Sequence, residues 1–129
     1  MDCRQRSVLV VDDEPTIGEL VSTLLELEGY QTRTAWNGRD ALDQLEAWRP
    51  DAIVLDMLMP VMDGPSFLRA QQANPRLRDI PVIAMSASTR HGAGSATRGA
   101  TAVIPKPFRL DDLVAHVKAA TGETALVSA

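Results

Sequence analysis

Short unbroken apolar runs alternate along this chain with segments whose apolar residues recur every three or four positions. Val8-Leu9-Val10-Val11 and Ala52-Ile53-Val54-Leu55 are of the first kind. A strand apolar at every position is covered on both faces, as in a parallel sheet sandwiched between helices. Ile17, Leu20, Val21, Leu24, Leu25 and Leu27 are of the second kind. Pro15 opens that helix, since its missing N–H is not needed in a first turn, and Gly29 stops it.

The same reading predicts strands over Ser7–Val11, Gln31–Ala35, 52–55, 81–85 and 102–104. Asn37-Gly38 caps a second helix carrying Ala41, Leu42, Leu45 and Trp48. Met59-Pro60 and Asp63-Gly64-Pro65 break the chain before a short helix with Phe67 and Leu68. Leu110, Leu113, Val114 and Val117 stripe a last helix headed by Asp111 and Asp112. A helix is also due over residues 88–99. Gly92, Gly94, Ser95 and Gly99 lie there, with no apolar residue larger than alanine. Each glycine costs about 1 kcal/mol of helix propensity against alanine, so that helix is expected to be short or irregular.

Five strand-then-helix units make an α/β fold with a parallel sheet. Asp12-Asp13 closes the first strand and Asp56 the third. Strands of a parallel sheet point one way, so these acids meet at its carboxyl edge, where open α/β sheets bind ligands. Crowded carboxylates repel unless a cation joins them, and hard oxygen donors suit Mg²⁺. A metal beside a carboxylate points to phosphate chemistry.

Composition narrows the picture. A chain of 129 residues with no internal repeat is expected to be one domain, with a core over about 6–121 and a frayed tail over 122–129. The net charge of −4 supplies no basic stripe, which argues against direct nucleic-acid binding. The one cysteine, Cys3, excludes an internal disulfide and fits a reducing compartment. No stretch approaches the ~20 apolar residues that span a bilayer, and none of signal-peptide length follows Met1. The expected setting is cytoplasmic, without membrane contact. No further domain is expected after residue 121, so the expectation is a protein acting alone through protein contacts, against a domain cut from a longer chain.

The ordered set of strand-end motifs resembles the receiver domain of bacterial response regulators. They are Val10-Val11-Asp12-Asp13-Glu14, Val54-Leu55-Asp56-Met57-Leu58-Met59-Pro60-Val61-Met62-Asp63-Gly64, Ala84-Met85-Ser86-Ala87, Gly99-Ala100 and Pro105-Lys106-Pro107-Phe108. The resemblance implies a flavodoxin-like, doubly wound, five-stranded parallel sheet in the order 2-1-3-4-5 with five helices. It implies that Asp56 accepts a phosphoryl group from a histidine kinase or histidine phosphotransfer protein, for relay to a downstream protein. Mg²⁺ would be held by Asp13, Asp56 and the Leu58 carbonyl, and through water by Asp12. Lys106, Ser86 and the Ala87 N–H would hold phosphoryl oxygens, and a cis Lys106–Pro107 bond would aim the lysine inward.

The chain departs from the family pattern at Val103. Three positions before the lysine, the family's switch places an aromatic ring, and a valine has none to swing and is stiff at χ1. Signalling would then run through ordering of residues 88–99, or the chain would act as a phosphate sink. A Mg²⁺-dependent phosphohydrolase with an aspartate nucleophile needs a second acid at the position Leu58 fills. A flavodoxin-like cofactor binder needs a phosphate loop where Asp12-Asp13-Glu14 would repel the anion. A degenerate, binding-only receiver is opposed by the intact acids, serine and lysine. His91 and His116, without Cys or His partners, are expected to be inert. The Met57, Met59 and Met62 group is read as packing, Trp36 and Trp48 as packed beside the second helix, and Phe108 as buried under the last helix.

Overall fold

The computed structural model describes residues 6–59, 62–86 and 99–122. Strands β1 (Ser7–Val11), β2 (Gln31–Ala35), β3 (Ala52–Asp56), β4 (Val82–Ser86) and β5 (Ala102–Pro105) alternate with helices α1 (Pro15–Leu27), α2 (Gly38–Leu45), α3 (Gly64–Ala73) and α4 (Leu110–Thr121). The strands form one sheet in the order β2-β1-β3-β4-β5, every neighbouring pair parallel. Of the helix expected over 88–99 and the frayed tail expected over 122–129, all but the end residues Gly99 and Gly122 lie outside the described residues, as do Cys3, His91 and Ala87.

Side chains alternate across a strand, so the apolar runs feed two cores. Leu9, Val11, Ile53 and Leu55 face Phe67, Leu68, Ala41 and Leu45 on one side. Val8, Val10, Val54, Ile83 and Met85 face Val21, Leu25, Leu113 and Val117 on the other. β1 and β3 sit at the centre of the sheet and are wholly buried, which is why they lack a polar period.

Several boundaries differ from the sequence reading. β4 runs over Val82–Ser86, one residue later than expected. Pro81 has no N–H for the ladder and contributes only its carbonyl, which accepts from the Ile53 N–H at 2.9 Å. β3 takes in Asp56 and β5 extends to Pro105, because polar or proline residues can end a strand on backbone pairing alone. α2 stops at Leu45, so Trp48 lies beyond it, under the Arg33 guanidinium at 4.4 Å. Trp36 is 54 % exposed rather than packed against α2, being carried by the turn that leaves the sheet's edge strand. Phe108 is only half-buried against the α1–α4 core. Gly64 and Pro65 do not end a loop but form the first turn of α3, capped by Asp63, whose Oδ1 accepts the Ser66 N–H at 3.0 Å.

Candidate metal and phosphoacceptor site

The sheet register assembles the acids. Val11 pairs with Leu55 and Asp56 with Met85, so Asp12 and Asp56 leave adjacent central strands side by side. Asp12, Asp13 and Asp56 bring one carboxylate oxygen each within 4.8 Å of the others. Asp12 and Asp56 are buried and Asp13 is half-buried.

The local backbone fixes their orientation. Asp12 Oδ1 accepts the Glu14 N–H at 2.9 Å, at the entry to α1. Asp56 Oδ1 accepts the Leu58 N–H at 3.1 Å. Lys106 reaches the same oxygen with its ammonium at 2.8 Å, from the end of β5. Lys106 N–H donates to the Ser86 carbonyl at 2.8 Å, which ties the ends of β4 and β5 together. The Lys106–Pro107 peptide is cis. Burial, with help from the Asp56 and Asp13 charges, raises the Asp12 carboxyl to about 6, although the Glu14 hydrogen bond and Lys106 oppose it.

That donor set fits a divalent cation. Hard carboxylate oxygens converge in a half-solvated cleft, and burial, together with the neighbouring acids, holds one of them above its ordinary proton affinity. The backbone after Asp56 adds the Leu58 peptide, while the Leu58 side chain stands exposed.

The fold places the remaining sequence-derived residues as follows. Ser86 is buried at the end of β4, one register step beyond Met85, which pairs with Asp56. Val103 lies in β5, opposite Ala84 and 38 % exposed. His116 is exposed on α4, its Nδ1 2.8 Å from the Asp112 carbonyl oxygen. Sequence reasoning missed a groove of about 610 Å³ that opens on Asp56 and Lys106 and is floored by Ile17, Leu20, Phe108 and Leu110. Its signal was present in α1, which carries more leucine and isoleucine than one buried stripe needs.

A cluster of acids facing a lysine at the carboxyl edge of a doubly wound sheet defines a phosphate-handling signalling module rather than a dinucleotide or flavin binder. The chain belongs to the response regulator receiver domain family, whose model matches residues 8–118. It is 37 % identical over 114 residues to the response regulator MprA of Mycolicibacterium vanbaalenii, covering 87 % of this chain and 48 % of that protein. The chain thus spans about half the length of the curated relatives it matches. The receiver domain of a signal transduction histidine kinase from Syntrophus aciditrophicus superposes with a TM-score of 0.85 at 37 % identity, over 92 % of this chain and 91 % of that one. The response regulator TrrA of Thermotoga maritima, solved in complex with Mg²⁺-BeF, superposes with a TM-score of 0.81 at 31 % identity, over 90 % and 99 %. No described helix is long and apolar enough to cross a membrane.

Proposed function

We propose that Asp56 is the phosphoacceptor of a two-component relay in which this chain acts as a single receiver domain. The observation that carries the reading is the 2.8 Å contact between Lys106 and a buried Asp56 that also shares a cleft with Asp12 and Asp13. Both donors to Asp56 found among the described residues meet Oδ1, so the other carboxylate oxygen keeps its lone pairs for attack. That oxygen forms a bond to phosphorus as the donor's N–P bond, in a phosphohistidine, breaks. Lys106 balances charge on the phosphoryl oxygens, and the Ser86 hydroxyl and Ala87 N–H hold the others.

Asp13, Asp56 and the Leu58 carbonyl would hold Mg²⁺, with Asp12 acting through water. Bound there, the ion supplies the charge neutralisation that lets an anion approach a cluster of acids. The complex of the Thermotoga protein with Mg²⁺-BeF supports this assignment.

The donor is a histidine kinase or a histidine phosphotransfer protein that docks on α1. Ile17, Leu20, Leu24 and Leu27 repeat at three-four-three spacing, a seam suited to a helical partner, and Leu20 and Leu27 are exposed. The groove lined by Ile17 and Leu20 runs from that seam to Asp56. The setting is cytoplasmic, where such donors act. Output passes to a downstream protein. A phosphate-sink role is the second reading, favoured by Val103, which offers β5 no ring to turn inward.

Incubation with acetyl phosphate and Mg²⁺ should give an acid-stable, base-labile adduct of one phosphoryl group by mass. Asp56→Asn should abolish it, and chelation of Mg²⁺ should nearly do so. Equal labelling of the Asn variant would overturn the assignment.

A further inference from the structure

Gly38, the first residue of α2, touches the segment that follows Asp56. Its N–H donates to the Met62 carbonyl at 3.2 Å. A Cβ built on Gly38 would lie 2.6 Å from that carbonyl oxygen, 2.8 Å from Met62 Cγ and 3.1 Å from Sδ. Backbone cannot approach so closely unless the residue lacks a side chain. Met62 itself has φ +50°, a left-handed conformation unusual outside glycine, so its carbonyl is held in a defined direction. Two residues on, Gly64 N–H returns to the Met57 carbonyl at 3.2 Å. A Cβ on Gly64 would lie 2.6 Å from Met57 Cα.

The chain after Asp56 is therefore fastened at Met57 and at Met62. Between those points lies Leu58, whose N–H orients Asp56 Oδ1. We infer that Gly38 is a positioning residue for the metal and phosphoacceptor site: the first turn of α2 sets the Leu58 peptide by gripping the Met62 carbonyl. This rests on the reading of Asp56 and Leu58 given above. Gly38 itself touches no acid. Its effect passes from Met62 through Asp63 to Gly64, which is packed on Met57, and so to the adjoining Leu58 peptide, where a small displacement changes both the orientation of Asp56 and the position of a carbonyl donor.

The inference separates helix stability from metal affinity. Gly38 does not have a positive φ, so alanine is tolerated by the helix and gains about 1 kcal/mol of propensity. Alanine must, however, push Met62 away. The expected result for Gly38→Ala is a folded protein whose half-saturating Mg²⁺ concentration for acetyl phosphate labelling rises about 10-fold, the scale of losses when groups supporting a metal ligand are disturbed. The plateau rate at saturating Mg²⁺ should fall less than the midpoint shifts. Arg39→Ala, one position along, removes only an exposed pairing with Asp43 and should leave the midpoint unchanged.

If Gly38→Ala does not fold, the Gly38→Ala/Met62→Gly pair restores space by removing Cγ and Sδ while keeping the carbonyl and the left-handed turn. The pair should fold and still show the raised midpoint. A wild-type midpoint in either Gly38→Ala or the pair would overturn the inference. Loss of labelling in the wild-type protein would instead overturn the phosphoacceptor reading, so the two failures are distinct.

Discussion

Lys106 is the residue on which the electrostatics of the cleft turn. Its stem is partly covered, its ammonium meets a carboxylate with 5 % side-chain exposure, and it approaches from a different strand than any of the acids. Removing it leaves Asp56 with a single N–H donor among the described residues, and on the proposed reading would leave the phosphoryl group without its cation. Lys106→Ala is expected to slow labelling by acetyl phosphate about 100-fold, the scale for losing one preorganised charge-stabilising donor. Mg²⁺ binding should persist or tighten, because a competing cation is gone. Labelling at the wild-type rate, followed by mass, would remove Lys106 from the site. The acids and this lysine were legible in the sequence because each ends a strand, and strand ends of a parallel sheet share one edge. Trp36 and Phe108 were not, since an aromatic beside a turn carries no periodic signal to say which way it faces. The Leu58 N–H to Asp56 bond was equally hidden, being a property of backbone direction after the strand.

Element by element, the hydrophobic pattern located β1 and β2 to the residue and the start of α1 at Pro15, and drifted where proline or polar residues sit at the ends, as at Pro81 and Asp56. The third helix was under-read. Its inner face includes Gln71, fully buried, whose amide donates to the Leu77 carbonyl at 2.8 Å and the Ile80 carbonyl at 3.0 Å. A polar residue spaced like an apolar one breaks the periodicity on which the reading depends. Those two bonds hold the turn that delivers the chain from α3 into β4. Gln71→Leu keeps the volume but strands both carbonyls, and should destabilise the fold by about 2–4 kcal/mol in urea unfolding with an unchanged slope. A loss under 1 kcal/mol would show that the turn does not depend on the amide. The cap at the other end is weaker. Asp63 is held below the ordinary carboxylate range by its hydrogen bonds to Ser66, side chain first and N–H second. Its stabilisation is present above the unfolded value near 4 and is lost as pH falls through the lower folded value. Asp63→Ala should cost about 1 kcal/mol at pH 7, and the gap between variant and parent should close in acid.

At the scale of the molecule, the two cores that clamp the central strands also force acids together at their ends. β1 and β3 cannot slide apart without exposing Leu9, Val11, Ile53 and Leu55, so crowding at Asp12, Asp13 and Asp56 is imposed by the whole sheet. The strain is visible at Asp12, raised to about 6 chiefly by burial. Between an unfolded value near 4 and that folded value, the native state binds more protons than the unfolded chain, so ion-free stability falls as pH rises through this window. A divalent cation seated among these acids would reverse the preference, since directly or through water it favours the carboxylate over the acid, and it would stabilise the fold by mass action. The rise in Tm on adding Mg²⁺ should therefore be largest above pH 6 and shrink towards pH 5, where protons compete for the same oxygens. Asp12→Asn should flatten the ion-free dependence between pH 4 and 6. Thermal unfolding with Mg²⁺ or with chelator, at pH 5 and pH 7.5, tests both expectations. An equal Mg²⁺ shift at the two pH values would place the ion away from Asp12, and the acids at the sheet edge would then need a different partner.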